Sequence, residues 1–114
     1  MYKRENHSLA KINKQLTLAL SRWMHEHIDI DPRLLTIKIC ELHTSKDLAH
    51  CQVLVYHNEE VDELVKKLNR YSHPIHQYLF NNLRIRRVPK IKFKASERLS
   101  REEELNAILN EIES

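Results

Sequence analysis

Glycine is absent from all 114 residues. A phosphate-cradling P-loop, a dinucleotide-binding fingerprint and a nucleophile elbow each need glycine where the backbone turns tightly or meets a ligand, so all three are excluded. Turns are expected to be built from Asn, Asp, Ser, His or Pro. Cysteine is nearly absent: Cys40 and Cys51 are the only two. Both read as reduced strand residues that behave as small apolar side chains, not as a disulfide framework. No apolar run approaches the roughly 18 residues that span a bilayer. The opening residues 1–7 lack a signal peptide's apolar core. A cytoplasmic protein that does not enter a membrane is expected.

Chemistry-bearing constellations are also missing. The eight histidines make no ligand spacing with the cysteines. Ser45 and Asp47 share a turn without an accompanying base or nucleophile. No metal, cofactor, small-molecule substrate or enzymatic activity is expected.

What is present is an apolar fraction of 41%, a charged fraction of 31% and an uneven distribution of charge. These values describe a globular chain of one domain over 1–114. Net charge is only +3, yet residues 84–101 hold eight basic side chains against one acid, a net of +7. Residues 102–114 hold five acids and no base, a net of −5. The basic stretch is a candidate footprint for a polyanion. Its alternative is a solvated basic face balanced by the acidic segment after it.

Periodicity places the elements. Leu9, Ile12, Leu16, Ala19, Leu20 and Trp23 form one stripe of a helix over 7–27, with Trp23 in the core. Asp31-Pro32 then forces the chain out of the helical region. Leu35, Ile37 and Ile39 alternate with polar neighbours, which predicts a strand over 34–43. After a short polar link at 44–47, Cys51, Val53 and Val55 share one face of a strand over 49–57, so the pair should be an antiparallel hairpin. A helix over 59–69 carries Val61, Leu64, Val65 and Leu68 inward. Its acids come first and its bases last, as the helix dipole prefers. Pro74 opens another helix over 74–82. A third strand over 88–95 turns Ile91 and Phe93 inward and Lys90, Lys92 and Lys94 outward. A capping-box spacing at Ser100-Arg101-Glu102-Glu103 begins an acidic C-terminal helix over 100–114. The order is α-β-β-α-kink-α-β-α. The crossover between the second and third strands makes them parallel, and an α+β fold with one three-stranded sheet and helices on one face is the economical arrangement.

Three local motifs, in order, resemble the ribosome-binding factor A family. Asp31-Pro32-Arg33-Leu34 is similar to the family's entry to the first strand. Ser45-Lys46-Asp47-Leu48-Ala49 with Cys51, Val53 and Val55 is similar to its hairpin and second strand. Leu83-Arg84-Ile85-Arg86 followed by Val88-Pro89, Ile91 and Phe93 is similar to its third-strand signature. The resemblance covers about 7–112. It implies a KH-like type II fold in a monomer that binds the small ribosomal subunit and its rRNA, assists subunit maturation and rRNA processing, and leaves before translation. Two positions differ from the family pattern. Its Ala-x-Gly kink is Tyr71-Ser72-His73 here, so the kink falls to His73-Pro74, and its aspartate after the third strand is Ser96.

Ordinary KH domains grip RNA through a GxxG loop, which this chain cannot form. Binding must therefore rest on side-chain charge and read phosphates before bases. Lys90, Lys92 and Lys94 repeat at about 7 Å along a strand face, from a rise of about 3.3 Å per residue. Arg84, Arg86 and Arg87 precede them and suit bidentate phosphate contact. Arg33 and Lys46 are candidates to extend this surface. Tyr71 and His73 can stack on a base or simply cover the helix junction. Two other readings of the lysines remain open: an edge strand that discourages aggregation, and a protein-interaction module that docks an acidic partner with no RNA role.

Overall fold

The computed structural model describes residues 8–97 together with 105 and 109. Helix α1 (Leu9–Glu26) starts at Ser8, whose hydroxyl accepts the Lys11 N–H. It buries the expected stripe of Ile12, Leu16, Ala19, Leu20 and Trp23, joined by Met24. A short 3-10 turn, strands β1 (Lys38–Thr44) and β2 (His50–Tyr56), helices α2 (Val61–Asn69) and α3 (Ser72–Asn82), and strand β3 (Lys90–Ala95) follow. The sheet order is β1-β2-β3. β1 runs antiparallel to β2 and β3 runs parallel to it, as the crossover requires. Cys51, Val53 and Val55 of β2 and Ile91 and Phe93 of β3 join the buried residues of all three helices in one cluster. Among the described residues, α1, α2 and α3 therefore cover one sheet face and leave the other open. Among the described residues no helix is long and apolar enough to cross a membrane. Leu105 and Leu109 are helical and exposed; the rest of the expected acidic helix over 100–114 lies outside the described residues.

The first strand starts later than the alternation implies. Asp31 accepts the Arg33 N–H at 2.9 Å, and Pro32 supplies a preset φ, so 32–35 closes into the 3-10 turn. That turn buries Leu34 and leaves Leu35 57% exposed, so Leu35 is not an inward strand residue. A bulge then falls between Ile39 and Glu41. The extra residue, Cys40, shifts the inward set from Ile37 and Ile39 to Leu42 and Thr44, because one added residue reverses the side-chain period of two.

Two turns use residues that a glycine-free chain was not expected to place there. Leu48 (φ 58°) and Glu60 (φ 47°) are left-handed, a conformation costing about 1–2 kcal/mol for an L-residue. Leu48 buries its side chain in the core, which offsets that cost. The Ser45 hydroxyl accepts the N–H groups of Ala49 and His50 at 3.1 Å, and Asp47 accepts Ala49 N–H at 3.0 Å. Glu60 lies against the Arg33 guanidinium, which donates to the Glu59 and Glu60 carbonyls at 3.0 and 3.3 Å. The break between α2 and α3 also sits earlier than His73-Pro74. It falls at Arg70-Tyr71, and Pro74 occupies the first turn of α3, where a missing N–H costs nothing.

An ion cluster around the buried Asp31 ties these segments together. Asp31 meets Arg33 Nη2 at 2.6 Å and Lys67 Nζ at 3.0 Å, and Arg33 also reaches Glu63 at 2.8 Å. The Arg33 hydrogen bonds, followed by Lys67, hold the Asp31 carboxyl well below the usual carboxylate range. Nearby, His57 Nδ1 accepts the Glu59 N–H at 3.0 Å, which leaves Nε2 to bond Thr36 Oγ1 at 2.8 Å. On the far side of the sheet, Asn69 clamps the edge of β3. Its amide nitrogen donates to the Phe93 carbonyl at 3.0 Å and its oxygen accepts the Phe93 N–H at 2.8 Å.

Two stability predictions follow from these contacts. Asp31→Asn should cost about 3 kcal/mol at neutral pH, the low end for removing one partner of a buried pair, since Arg33 keeps Glu63. Because the native pKa is depressed, the Asp31 contribution is complete above the unfolded value near 4 and drains as pH falls below it. Urea denaturation of both chains at descending pH should show the gap closing in acid; parallel curves would refute the assignment. Asn69→Ala should cost about 1–2 kcal/mol by leaving Phe93 without its partner, read as a fall in urea midpoint.

Candidate nucleic-acid interface

Burial of Ile91 and Phe93 decides where the lysines go. Successive strand residues face opposite sides, so Lys90, Lys92 and Lys94 all stand exposed on the open face. They lie in register with His50, Gln52 and Leu54 of β2. Because β3 is the last strand of the sheet, Lys90 and Lys92 also border the groove between β3 and the two helices that precede it, and Lys94 does not. Lys90 donates its N–H to Ala49 and Ser96 to Val55. The N–H and C=O of the alternate residues Ile91 and Phe93 therefore point to the outer edge, where Asn69 takes those of Phe93.

That groove is a cavity of about 580 Å³ lined by Asn69, Ser72, His73, His76, Lys90, Ile91 and Lys92. The kink residues thus separate. Ser72 and His73 are exposed and face Lys90 and Lys92. Tyr71 instead packs on the core, its ring 6.0 Å from that of Trp23, so of the two uses open to it in sequence it covers the junction.

A second cavity of about 480 Å³ continues the groove toward the hairpin. It shares His76 and Lys90 with the first and adds Arg86 and Arg87 from the connector 83–89. His76 is fixed between them by a 3.1 Å bond between its Nε2 and the Val88 carbonyl. No carboxylate stands among the described residues that line either cavity. Arg84 is exposed on the same connector but lines neither.

Lys46 is exposed in the β1–β2 turn. Arg87 lies near enough to that turn to help the Ser45 and Ala49 hydrogen bonds hold the Asp47 carboxyl below its ordinary value. Lys46 therefore sits at the hairpin end of the ridge. Arg33 does not join it. Its side chain is only 14% exposed, and its donors are taken by Asp31, Glu63 and the Glu59 and Glu60 carbonyls. Five acceptors around one guanidinium leave it as a structural brace, with no fork free for phosphate. Sequence reasoning assigned no role to Asn69 or Phe80, although a stripe of His73, His76 and Phe80 at helical spacing was there to be read.

The comparisons with known proteins agree with the order of elements. The family model for ribosome-binding factor A matches residues 8–109. A curated ribosome-binding factor A from Mycoplasmopsis pulmonis is 27% identical over 108 residues, covering 95% of this chain and 96% of the relative. One from Alkalilimnicola ehrlichii is 28% identical, covering 89% and 80%. Among solved structures, the ribosome-binding factor A of Thermus thermophilus superposes with a TM-score of 0.70 at 26% identity, over 78% of this chain and 97% of that one. A homology model of the Thermus thermophilus factor, fitted into an electron-microscopy map of a 30S complex, gives 0.54 at 28% identity, over 70% and 90%. With a family model matched across nearly its whole length and structural relatives that share its α+β fold, the chain belongs to the ribosome-binding factor A family.

Proposed function

We propose that this protein binds the small ribosomal subunit during its maturation, contacts rRNA through the groove beside β3, and assists rRNA processing as a cytoplasmic, monomeric, non-enzymatic factor. The observation that carries this reading is the convergence of Lys90, Lys92, Arg86 and Arg87 along one groove whose described lining holds no acid. A surface of this kind attracts a polyanion and releases its counterions. The fitting of a family relative into a map of a 30S complex supports the choice of polyanion.

The mechanism follows from the scaffold. Lys90, Lys92 and Lys94 repeat at about 7 Å along a strand, close to the phosphate spacing of an extended nucleic-acid strand. β3 is held by β2 on one edge and by Asn69 on the other, so the spacing of the lysine backbone positions is set before the RNA arrives and the ordering cost is confined to the side chains. Arginines at 86 and 87 supply planar donors for phosphate oxygens. Phosphate contacts set position and carry no sequence information directly, so this surface recognises the folded shape of rRNA. No step requires a covalent change in the RNA by this chain.

Lys90→Glu, Lys92→Glu and Lys94→Glu combined should abolish co-sedimentation with free small subunits, while the thermal midpoint stays that of the parent. On an isolated rRNA fragment, log affinity should fall linearly with log salt, and removing the three lysines singly should lower that slope by up to about one each. Retained subunit association in the triple variant would move the site. No fragment binding by the parent at low salt would assign the groove to an acidic protein instead.

A further inference from the structure

Phe80 is 66% exposed, although the same helix buries Ile75 and Leu79 completely. Single exposed apolar residues are ordinary, and Leu18 and Leu35 are cases of it here. Phe80 differs in its setting. Its ring lines the second cavity with His50, His76, Arg86, Arg87 and Lys90. Among the described residues it stacks on no other ring: the ring contacts are those of Trp23 with His27 and with Tyr71. His73, His76 and Phe80 stand three and four residues apart, so they share one side of α3, facing β3 across the groove. The seven steps from His73 to Phe80 span about 10 Å of helix.

A large flat apolar face inside a ring of cations is poorly suited to a bare phosphate chain and well suited to one that carries aromatic bases. We infer that Phe80 is a stacking platform for an unpaired base of the bound RNA, whose flanking phosphates rest on Arg86, Arg87 and Lys90. This rests on the phosphate-ridge reading above and adds to it the kind of RNA recognised. A base inside a duplex has both faces covered by its neighbours, so the ring takes only a base that is single-stranded, bulged or looped. Stacking of this kind tolerates any base, in keeping with a ridge that reads phosphates. Phe80 lies at the hairpin end of the groove, beyond the kink and beyond the expected lysines, so the platform sits where the basic connector turns into β3.

The test uses the full chain and two labelled probes: an unpaired RNA of about 12 nucleotides, which exceeds one such groove, and the same RNA annealed to its complement. Fluorescence anisotropy reads both affinities across a salt series. Phe80→Ala should weaken binding of the unpaired RNA about 5- to 150-fold, the range for loss of one base stack. Duplex affinity and the salt slope should stay as in the parent, because no phosphate contact is removed. Phe80→Tyr should retain the affinity, and Phe80→Trp should add an emission that quenches on the unpaired probe and not on the duplex. The side chain is exposed, so circular dichroism should report an unchanged fold for each. Unchanged affinity of Phe80→Ala for the unpaired RNA, or an equal loss on both probes, would overturn the platform. If that occurs while the triple lysine variant still fails to bind, the phosphate ridge stands without it. If the parent binds neither probe at low salt, the ridge itself fails and the platform falls with it.

Discussion

The burial of Ile91 and Phe93 under the helices is the constraint on which the rest of this molecule depends. Strand geometry makes their neighbours face away, so packing two apolar side chains places three lysines on the opposite side. The same strand is the sheet's exposed edge, and an unpaired edge is ordinarily an aggregation hazard. Here Asn69 takes the N–H and C=O of Phe93, and lysine charge guards the remainder. Core packing, the partner of the sheet's edge and the candidate binding surface thus all depend on one six-residue strand.

The lack of glycine moves the burden of recognition from backbone to side chain. In the proposed function, a backbone without glycine leaves phosphate contact to long cationic groups, which the connector 83–89 and β3 carry. The fold accepts the accompanying turn strain locally. Leu48 reaches a left-handed conformation with its side chain anchored in the core, and Glu60 reaches one beneath the Arg33 guanidinium. In both places tertiary contacts offset a cost that glycine would have avoided.

Two kinds of arginine show how surroundings decide a role. Arg86 and Arg87 are exposed and border a cavity lined without acids, with Asp47 near Arg87. Arg33 lies between Asp31 and Glu63 and bonds two carbonyls besides. The first pair is available to a polyanion; the third is committed to joining the 3-10 turn to the start of α2. Residue type cannot separate them, because the difference lies in acceptors: the neighbouring Asp31 and, from around the start of α2, Glu59, Glu60 and Glu63.

Much was legible without coordinates. Spacing alone identified the buried face of α1, the inward sets of β2 and β3, the parallel pairing of those two strands and the outward lysines, since period and connection length are properties of the chain itself. Ordered motifs pointed to the family. Local hydrogen bonding defeated the rest of the first strand: the Asp31 side chain and Pro32 made a 3-10 turn around Leu34 and Leu35, and the bulge at Cys40 reversed the alternation after it. The break between helices fell at Arg70-Tyr71, which leaves Pro74 in the first turn of α3, where its missing N–H costs nothing. The sequence by itself determined the buried stripes of α1, β2 and β3 and the outward lysines of β3. Only the tertiary structure decided that Ser72, His73, His76 and Phe80 of one segment would border a common groove with Arg86, Arg87, Lys90 and Lys92 of another, because that juxtaposition is created by docking α3 against the edge strand and is written in no local pattern.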